Sequence, residues 1–461
     1  MKVGIYGGTF DPVHKGHLAI ARAAKEQFGL DMVRIMPARI PPHKQEKGVT
    51  EDVHRLMMLC LALPVGEGIE LDLTEFEREG VSYTSDTLTL LHERHPDDAF
   101  YYIIGEDSLD GFVTWHEPET IASLATILVA VRSNDGEHFQ KLLKERNRQF
   151  GGVFKALSVP YYDISSTEIR ENIRNLKEPH PALPERTDTY IHRFGLYGCE
   201  PTAVRKEALR RYEELSKRLA PTISAHRLNH SKGVAFAAAE YIAEWLENAG
   251  WTQKAEGSQS AAQQDTGKQN TAQQTASAQH GITELDSEAK SLVRRTLLAG
   301  LMHDCAKSLG PEETLECLRK HRVKITDELL QAPGIQHGPA GRVLARERFG
   351  IRDPEMLRAI GNHVNGSVDM CDHPIETAVY IADYTEPFRE HIPTPPLPVI
   401  RNEALKDGIV GAELAATALI HYLEYLGFKE EGELARMHNA LKKRISQKEK
   451  GKGCELIPKK Q

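Results

Sequence analysis

Apolar positions change their rhythm along this chain. In the first part, short apolar runs alternate with longer segments in which apolar residues return every three or four positions. "VGIY", "MVRIMP", "IELDL", "FYYIIG", "ATILVAVR" and "VFKALSV" read as strands. "HLAIARAAKEQF" (ending before Gly29), "EDVHRLMMLCLAL", "SYTSDTLTLLHERH", "FQKLLKERNRQF" and "STEIRENIRNL" read as amphipathic helices, while "FYYIIG" is followed only by a short turn. Near-continuous apolar strands separated by helices predict a doubly wound α/β parallel sheet over residues 1–198. From "AVRKEALRRYEELSKRL" onward the strand rhythm vanishes. An all-α second domain is expected over 207–461, reached through a linker at 199–206. Within it, residues 252–281 contain no Leu, Ile, Val, Met or aromatic residue and are rich in Gln, Ala, Ser and Thr. Such a tract cannot bury a core and is expected to be a disordered insertion between two helices.

A chain of 461 residues is too long for one ordinary core, in keeping with two domains or three. A net charge of -8 argues against a general nucleic-acid binder and makes any polyanionic ligand depend on local basic pockets. The six cysteines form no C-x-x-C pair, which suits reduced thiols. Met1-Lys2 runs straight into a strand, and there is no long apolar span. A cytoplasmic protein without a membrane partner is expected; a homo-oligomer is left open.

The stretch "GIYGGTFDPVHKGH" leaves the first strand through a Gly-rich turn and enters a helix. Free N–H groups and the helix dipole favour an anion there, and Gly7, Gly8 and Gly16 allow close approach. His14 and His17 stand at that helix start, either as phosphate ligands or as two exposed polar residues. A second phosphate-type element favours the first choice: in "ISSTEIR", Ser165, Ser166 and Thr167 can cap a helix and Arg170 follows one turn on. No P-loop signature is present.

Together with "PPHK", "HRLMML", "SYTSDTL", "IIGEDSL" and Trp115, these motifs make residues 1–198 resemble the bacterial nicotinate-mononucleotide adenylyltransferases. The resemblance implies a Rossmann-like nucleotidyltransferase that joins ATP, carried with Mg2+, to nicotinate mononucleotide and releases pyrophosphate. His14 and His17 would act in catalysis by stabilising phosphate charge. ATP would be held by Gly7, Gly8, Thr9, Phe10, His14, His17, Gly105, Asp107, Ser108, Ile164, Ser165, Ser166, Thr167 and Arg170. Lys44, Tyr83, Thr84 and Trp115 would line the pyridine-nucleotide side, unless Trp115 is an ordinary core aromatic. Where the family often has Arg-Pro-Gly after the fifth strand, this chain has Arg132, Ser133 and Asn134.

In the helical half, His303-Asp304 in "GLMHDCAKSLG" emerges from the apolar helix "SLVRRTLLAGLM". A buried His-Asp pair needs partners, and a metal is a good one. His230, His337, His363 and Asp383 follow in or beside amphipathic segments. Imidazole nitrogen with carboxylate oxygen suits a divalent ion, iron first. With "HDCAK", "HGPAG" and "VYIADYTEPFR", residues 207–445 resemble the HD-domain phosphohydrolases, and more closely the symmetrical bis(5'-nucleosyl)-tetraphosphatases. "NHVNGSVDM" departs from that family's more usual run. The resemblance implies that His230, His303, Asp304 and Asp383 hold a metal, with His337 and His363 on a second metal or on phosphate. Lys307 and Arg389 would neutralise phosphate, Lys307 acting in catalysis, while water activated by the metal attacks phosphorus. The implied substrates are dinucleoside polyphosphates such as diadenosine tetraphosphate. Two alternatives stay open for this half: a nucleotide-binding sensor, or a hydrolase of another phosphoester.

Overall fold

The computed structural model describes residues 1–40, 48–78, 80–131, 136–159, 164–175, 178–253, 282–389, 394–427, 432–451 and 455–460. The chain divides into two compact units. The first comprises Met1–Asn172, Pro181–Thr187 and Tyr384–Ile400; the second comprises Ile173–His180, Asp188–Asp383 and Arg401–Gln461.

The first unit is built on six parallel strands: β1 (Lys2–Gly8), β2 (Met32–Pro37), β3 (Ile69–Leu71), β4 (Ala99–Gly105), β5 (Ala125–Val131) and β6 (Phe154–Ser158). Their order is β3-β2-β1-β4-β5-β6, and every pairing is parallel. The central strands are apolar on both faces because helices cover both: Val3, Ile5, Ile127, Leu128 and Val129 are fully buried. The helices are α1 (Lys15–Phe28), α2 (Asp52–Ala62), α3 (Thr84–Arg94), α4 (Glu106–Gly111), α5 (Pro118–Leu124), α6 (Gly136–Gln149) and α7 (Ser166–Ile173). Helix α1 stops at Gly29, whose φ of 59° is the left-handed cap a glycine adopts at little cost. The short turn expected after β4 is instead α4 followed by α5, each too brief to show helical periodicity. Between β1 and β4 the strand order reverses, so the carboxyl ends of these neighbours form the crevice where such sheets bind ligands.

The second unit is helical, and its helices include parts of α8 (Glu185–Phe194) and α17 (Leu397–Lys406). Its other helices are α9 (Lys206–Leu219), α10 (Ala225–Asn248), α11 (Ser287–Met302), α12 (Pro311–Lys320), α13 (Asp327–Gln331), α14 (His337–Glu347), α15 (Pro354–Asn362), α16 (Pro374–Thr385), α18 (Gly408–Tyr425) and α19 (Gly432–Glu449). The middle of α10, "VAFAAAEYIA", is buried on every face, which makes it the central helix. It packs closely on α11 because Gly300 has no side chain: a Cβ there would sit 2.7 Å from the Cα of Ala235.

One expectation changes here. The 199–206 stretch is not an exposed linker: Cys199, Ala203 and Val204 are buried, and the amides of Thr202 and Ala203 donate to the carbonyls of His192 and Arg193. The second unit is helical as expected, with one short antiparallel pairing added, β7 (Thr252–Gln253) with β8 (Glu284–Leu285). They tie together the two ends of the polar insertion, of which residues 254–281 lie outside the described residues.

Candidate functional site

In the first unit, the turn after β1 is locked from several sides. Phe10 has a φ of 50°, a conformation that non-glycine residues rarely hold, and its ring is buried against Tyr6 and His17. Gly7 is required by a neighbour, because a Cβ there would meet the Tyr102 hydroxyl at 2.5 Å. His14 is the N-cap of α1, and its backbone N–H donates to His17 Nδ1 at 3.2 Å. The two imidazoles stack with centroids 3.6 Å apart, only one turn of helix being needed to align them.

Strand β6 leads to α7, whose first turn bonds to that same loop. Ser166 Oγ donates to the Pro12 carbonyl at 3.0 Å, and Arg170 donates to the Asp11 carbonyl at 2.6 Å and to Thr167 Oγ1 at 3.2 Å. Ser165 Oγ accepts from the Thr167 amide, and half-buried Ile164 precedes it. The two phosphate-type elements of the sequence thus form one continuous surface. Gly105 ends β4, and Asp107 and Ser108 open α4 beside it.

On the pyridine-nucleotide side, Tyr83 caps α3 and lies 4.4 Å from the His116 ring. Thr84 Oγ1 is 3.1 Å from the Tyr102 hydroxyl, whose burial pushes its pKa up to about 12. Trp115 is half-buried, packed on the core beside Phe112 at 5.3 Å and edge-on to Tyr102 at 6.2 Å. Lys44 and Arg132 to Asn134 lie outside the described residues.

One residue escaped the sequence reading. Arg55, wholly buried in α2, donates to the Thr9 carbonyl at 2.8 Å and the Ala38 carbonyl at 2.9 Å and pairs with Asp52. Its only sequence signal is a charged residue inside the apolar run "HRLMML".

In the second unit, five helices converge on six side chains. His230 comes from α10, His303 and Asp304 from the end of α11, His337 from α14, His363 from the end of α15 and Asp383 from α16. His230 Nε2 lies 3.1 Å from both His303 Nε2 and Asp383 Oδ1, and 3.9 Å from Asp304 Oδ2. The other Asp304 oxygen, Oδ1, lies 3.1 Å from His337 Nε2 and 3.5 Å from His363 Nε2. Asp304 therefore faces two imidazole pairs with two different atoms.

Backbone carbonyls fix the rings: His303 Nδ1 is 2.7 Å from the Gly300 oxygen and His363 Nδ1 is 2.9 Å from the Ile360 oxygen. Each Nδ1–H donates outward, leaving the Nε2 lone pair aimed inward. Burial drives the His303 pKa down to about 3 and also lowers that of His337, so both rings stay neutral at ordinary pH. A buried convergence of lone pairs and carboxylate oxygens is chemically matched to cations, and these residues fit a divalent ion at either end of Asp304.

Lys307 reaches this cluster, with Nζ 3.0 Å from His337 Nε2. Arg389 lies in Tyr384–Ile400, which groups with the first unit, and its guanidinium lies over the Tyr384 ring. The cation missed in sequence is Arg227, one helical turn before His230, 3.3 Å from Asp304 Oδ2 and partly exposed.

A cytidylyltransferase-like family model matches residues 5–172, and an HD-domain model matches residues 272–387. The latter span includes His303, Asp304, His337, His363 and Asp383; His230 lies ahead of it. The nicotinate-nucleotide adenylyltransferase of Bacillus subtilis (strain 168) is 38% identical over 196 residues, which cover 42% of this chain and 98% of that relative. The chain belongs to the nicotinate-nucleotide adenylyltransferases. A probable member of this family from Gloeobacter violaceus is also 38% identical, over 197 residues and 96% of its length. The adenylyltransferase relatives leave more than half of this chain unmatched, and the HD-domain match lies in that remainder. A Clostridium acetobutylicum HD superfamily hydrolase, described as involved in NAD metabolism, shares 24% identity with a TM-score of 0.38. It covers 50% of this chain and 97% of that one, and at that score the likeness decides nothing. No helix among the described residues is long and apolar enough to cross a membrane.

Proposed function

We propose that the chain performs two phosphorus chemistries at separate sites: adenylyl transfer from ATP to nicotinate mononucleotide in the first unit, and metal-dependent hydrolysis of dinucleoside tetraphosphates in the second. The first proposal is supported by 38% identity across nearly the whole of a nicotinate-nucleotide adenylyltransferase. The loop geometry agrees with it. Adenylyl transfer asks a protein to position two anionic groups and neutralise the charge that builds between them. Stacked His14 and His17 at the α1 N-terminus, with Arg170 bonded to the same loop, supply donors fixed in advance of the reaction. Trp115 offers an aromatic face to the pyridine ring.

The observation that carries the second proposal is the split contact of Asp304 with two imidazole pairs. A divalent cation held there would supply Lewis acidity and a nucleophile near neutral pH. The surrounding residues do the rest of the work. Gly300 and Ile360 carbonyls hold the rings in one tautomer, while Lys307 and Arg227 place positive charge beside the cluster, where phosphate oxygens would arrive. Symmetrical cleavage of diadenosine tetraphosphate is favoured by the "HDCAK", "HGPAG" and "VYIADYTEPFR" segments.

The test uses paired variants of the full chain. Asp304→Ala should abolish hydrolysis of diadenosine tetraphosphate and spare adenylyl transfer. His14→Ala should lower adenylyl transfer by about 10²-fold or more and spare hydrolysis. The acid mononucleotide should be used better than the amide. Metal-loaded wild-type protein that binds diadenosine tetraphosphate without turning it over would leave the second unit a sensor. Turnover of a different phosphoester alone would reassign its substrate.

A further inference from the structure

Helices α9 and α11 of the second unit line a cavity of ≈ 450 Å³ that neither proposed reaction uses. Four cationic side chains reach it, Arg205, Arg211, Lys290 and Arg294, against a single carboxylate, Glu207. The remaining lining is two hydroxyls, from Ser287 and Ser291, and one apolar residue, Ala208. On a chain of net charge -8, this is the kind of local basic concentration a polyanion needs.

The neighbouring acids compensate only half of it. Lys290 pairs with Glu284, and Arg211 with Glu214 at 2.7 Å. Arg205 donates to the Ser287 hydroxyl at 2.5 Å, and Arg294 makes no ion pair among the described residues. The α11 N-terminus adds little, because Asp286 already accepts from the Glu288 and Ala289 amides.

We infer that this cavity binds a compact oligophosphate, of pyrophosphate to tripolyphosphate length, either free or as the tail of a nucleotide. Its volume falls within the roughly 300–1,000 Å³ typical of small-molecule sites. Guanidinium groups match phosphate oxygens two at a time, and the serine hydroxyls complete the donor set. A lone alanine gives a nucleobase nothing to stack on, so the phosphates carry the recognition. The site is separate from the metal-ligand cluster: at about 1.5 Å per residue, its nearest lining residue on α11, Arg294, stands roughly 13.5 Å along the helix from His303.

Calorimetry tests this on the full chain carrying His14→Ala and Asp304→Ala, which weaken the two reaction sites. Pyrophosphate, tripolyphosphate, ATP and sulfate are titrated in turn. One saturable event is expected for pyrophosphate or tripolyphosphate, with sulfate at least about tenfold weaker. Adding Arg205→Ala and Arg294→Ala should weaken it by about tenfold or more for each guanidinium removed. Arg205→Lys with Arg294→Lys should bind more tightly than the alanine pair and more weakly than the parent, because an ammonium keeps the charge and loses the paired donors. ATP as tight as tripolyphosphate assigns a nucleotide tail; weaker ATP assigns a free oligophosphate. Absence of saturable binding overturns the inference. So does an affinity that the alanine pair leaves unchanged while its melting temperature stays that of the parent.

Discussion

Gly300→Ala is the sharpest test of how the second centre is assembled. A methyl group at this position would stand 2.7 Å from the Ala235 Cα and 3.0 Å from both the Ala235 nitrogen and the Val234 oxygen. All three are backbone atoms, so no side chain can swing away. Restoring a contact of 3.4 Å requires α10 and α11 to part by about 0.7 Å. Overpacking of this size costs about 1–3 kcal/mol, and the better helix propensity of alanine returns up to about 1 kcal/mol. The net loss of about 0–2 kcal/mol leaves the unit folded. The same displacement moves His230 on α10 away from His303 at the end of α11, whose Nε2 atoms are 3.1 Å apart. Disturbing the contacts that orient metal ligands typically costs about 10–100-fold in affinity, and a loss of that order is expected here. Anaerobic titration of metal-free protein with Mn2+, beside assays of both reactions, reads the effect. Mn2+ affinity and hydrolysis should fall together by that factor, with adenylyl transfer unchanged. Wild-type Mn2+ affinity in a folded Gly300→Ala protein would refute the argument that this helix contact sets the ligand geometry.

Arg55→Lys should lower kcat/KM for adenylyl transfer by about tenfold or more, because one ammonium cannot bridge the Thr9 and Ala38 carbonyls as the guanidinium does; an unchanged value would make Arg55 a fold residue only. Deleting Ser258 to Gln279 should leave both activities and the melting temperature nearly unaltered, since β7 and β8 already hold the ends of that tract together; a large loss of hydrolysis would show that the tract serves the site. Glu240 faces Arg193 at 2.5 Å together with Glu244 and Glu247, and burial raises its pKa from 4.5 to about 7. Folded protein then holds a proton that unfolded protein has released, so this group's contribution to stability falls as pH rises from about 4.5 to about 7. Glu240→Gln should therefore gain melting temperature relative to wild type at pH 8 more than at pH 5; equal changes at both would count against the buried charge.

The sheet was legible because parallel strands covered on both faces must be apolar throughout, which "FYYIIG" and "ATILVAVR" announce directly. The glycine that ends α1 was equally plain. What hid were features whose meaning depends on a distant partner. "CEPTAV" looks like a linker, yet Ala203 and Val204 are wholly buried. Arg55 and Arg227 act on backbone carbonyls and a carboxylate far from them in sequence, and such contacts leave no periodicity behind. His14 and His17 could be read in advance because their spacing is itself the geometry: one turn of helix stacks them. The six ligand-type residues of the second unit were found by type and order, whereas the split contact of Asp304 emerges only when five helices meet.

The two centres solve opposite electrostatic problems, and this constrains what each can do alone. The first presents N–H donors and cations on a loop and two helix starts, so an anionic phosphate meets favourable charge as soon as it arrives. The second presents neutral imidazole lone pairs and two carboxylates, with His303 kept neutral by burial. Lys307 and Arg227 stand beside that cluster, but Arg227 already faces Asp304 and Lys307 already faces His337. A polyphosphate approaching these residues without a cation would meet lone pairs and negative oxygens. At this cluster, then, a cation should have to bind before a polyphosphate does, whether the cluster hydrolyses its ligand or senses it. Stripping the metal should remove diadenosine tetraphosphate binding at the cluster as well as turnover, and only the metal-loaded protein can distinguish the two roles.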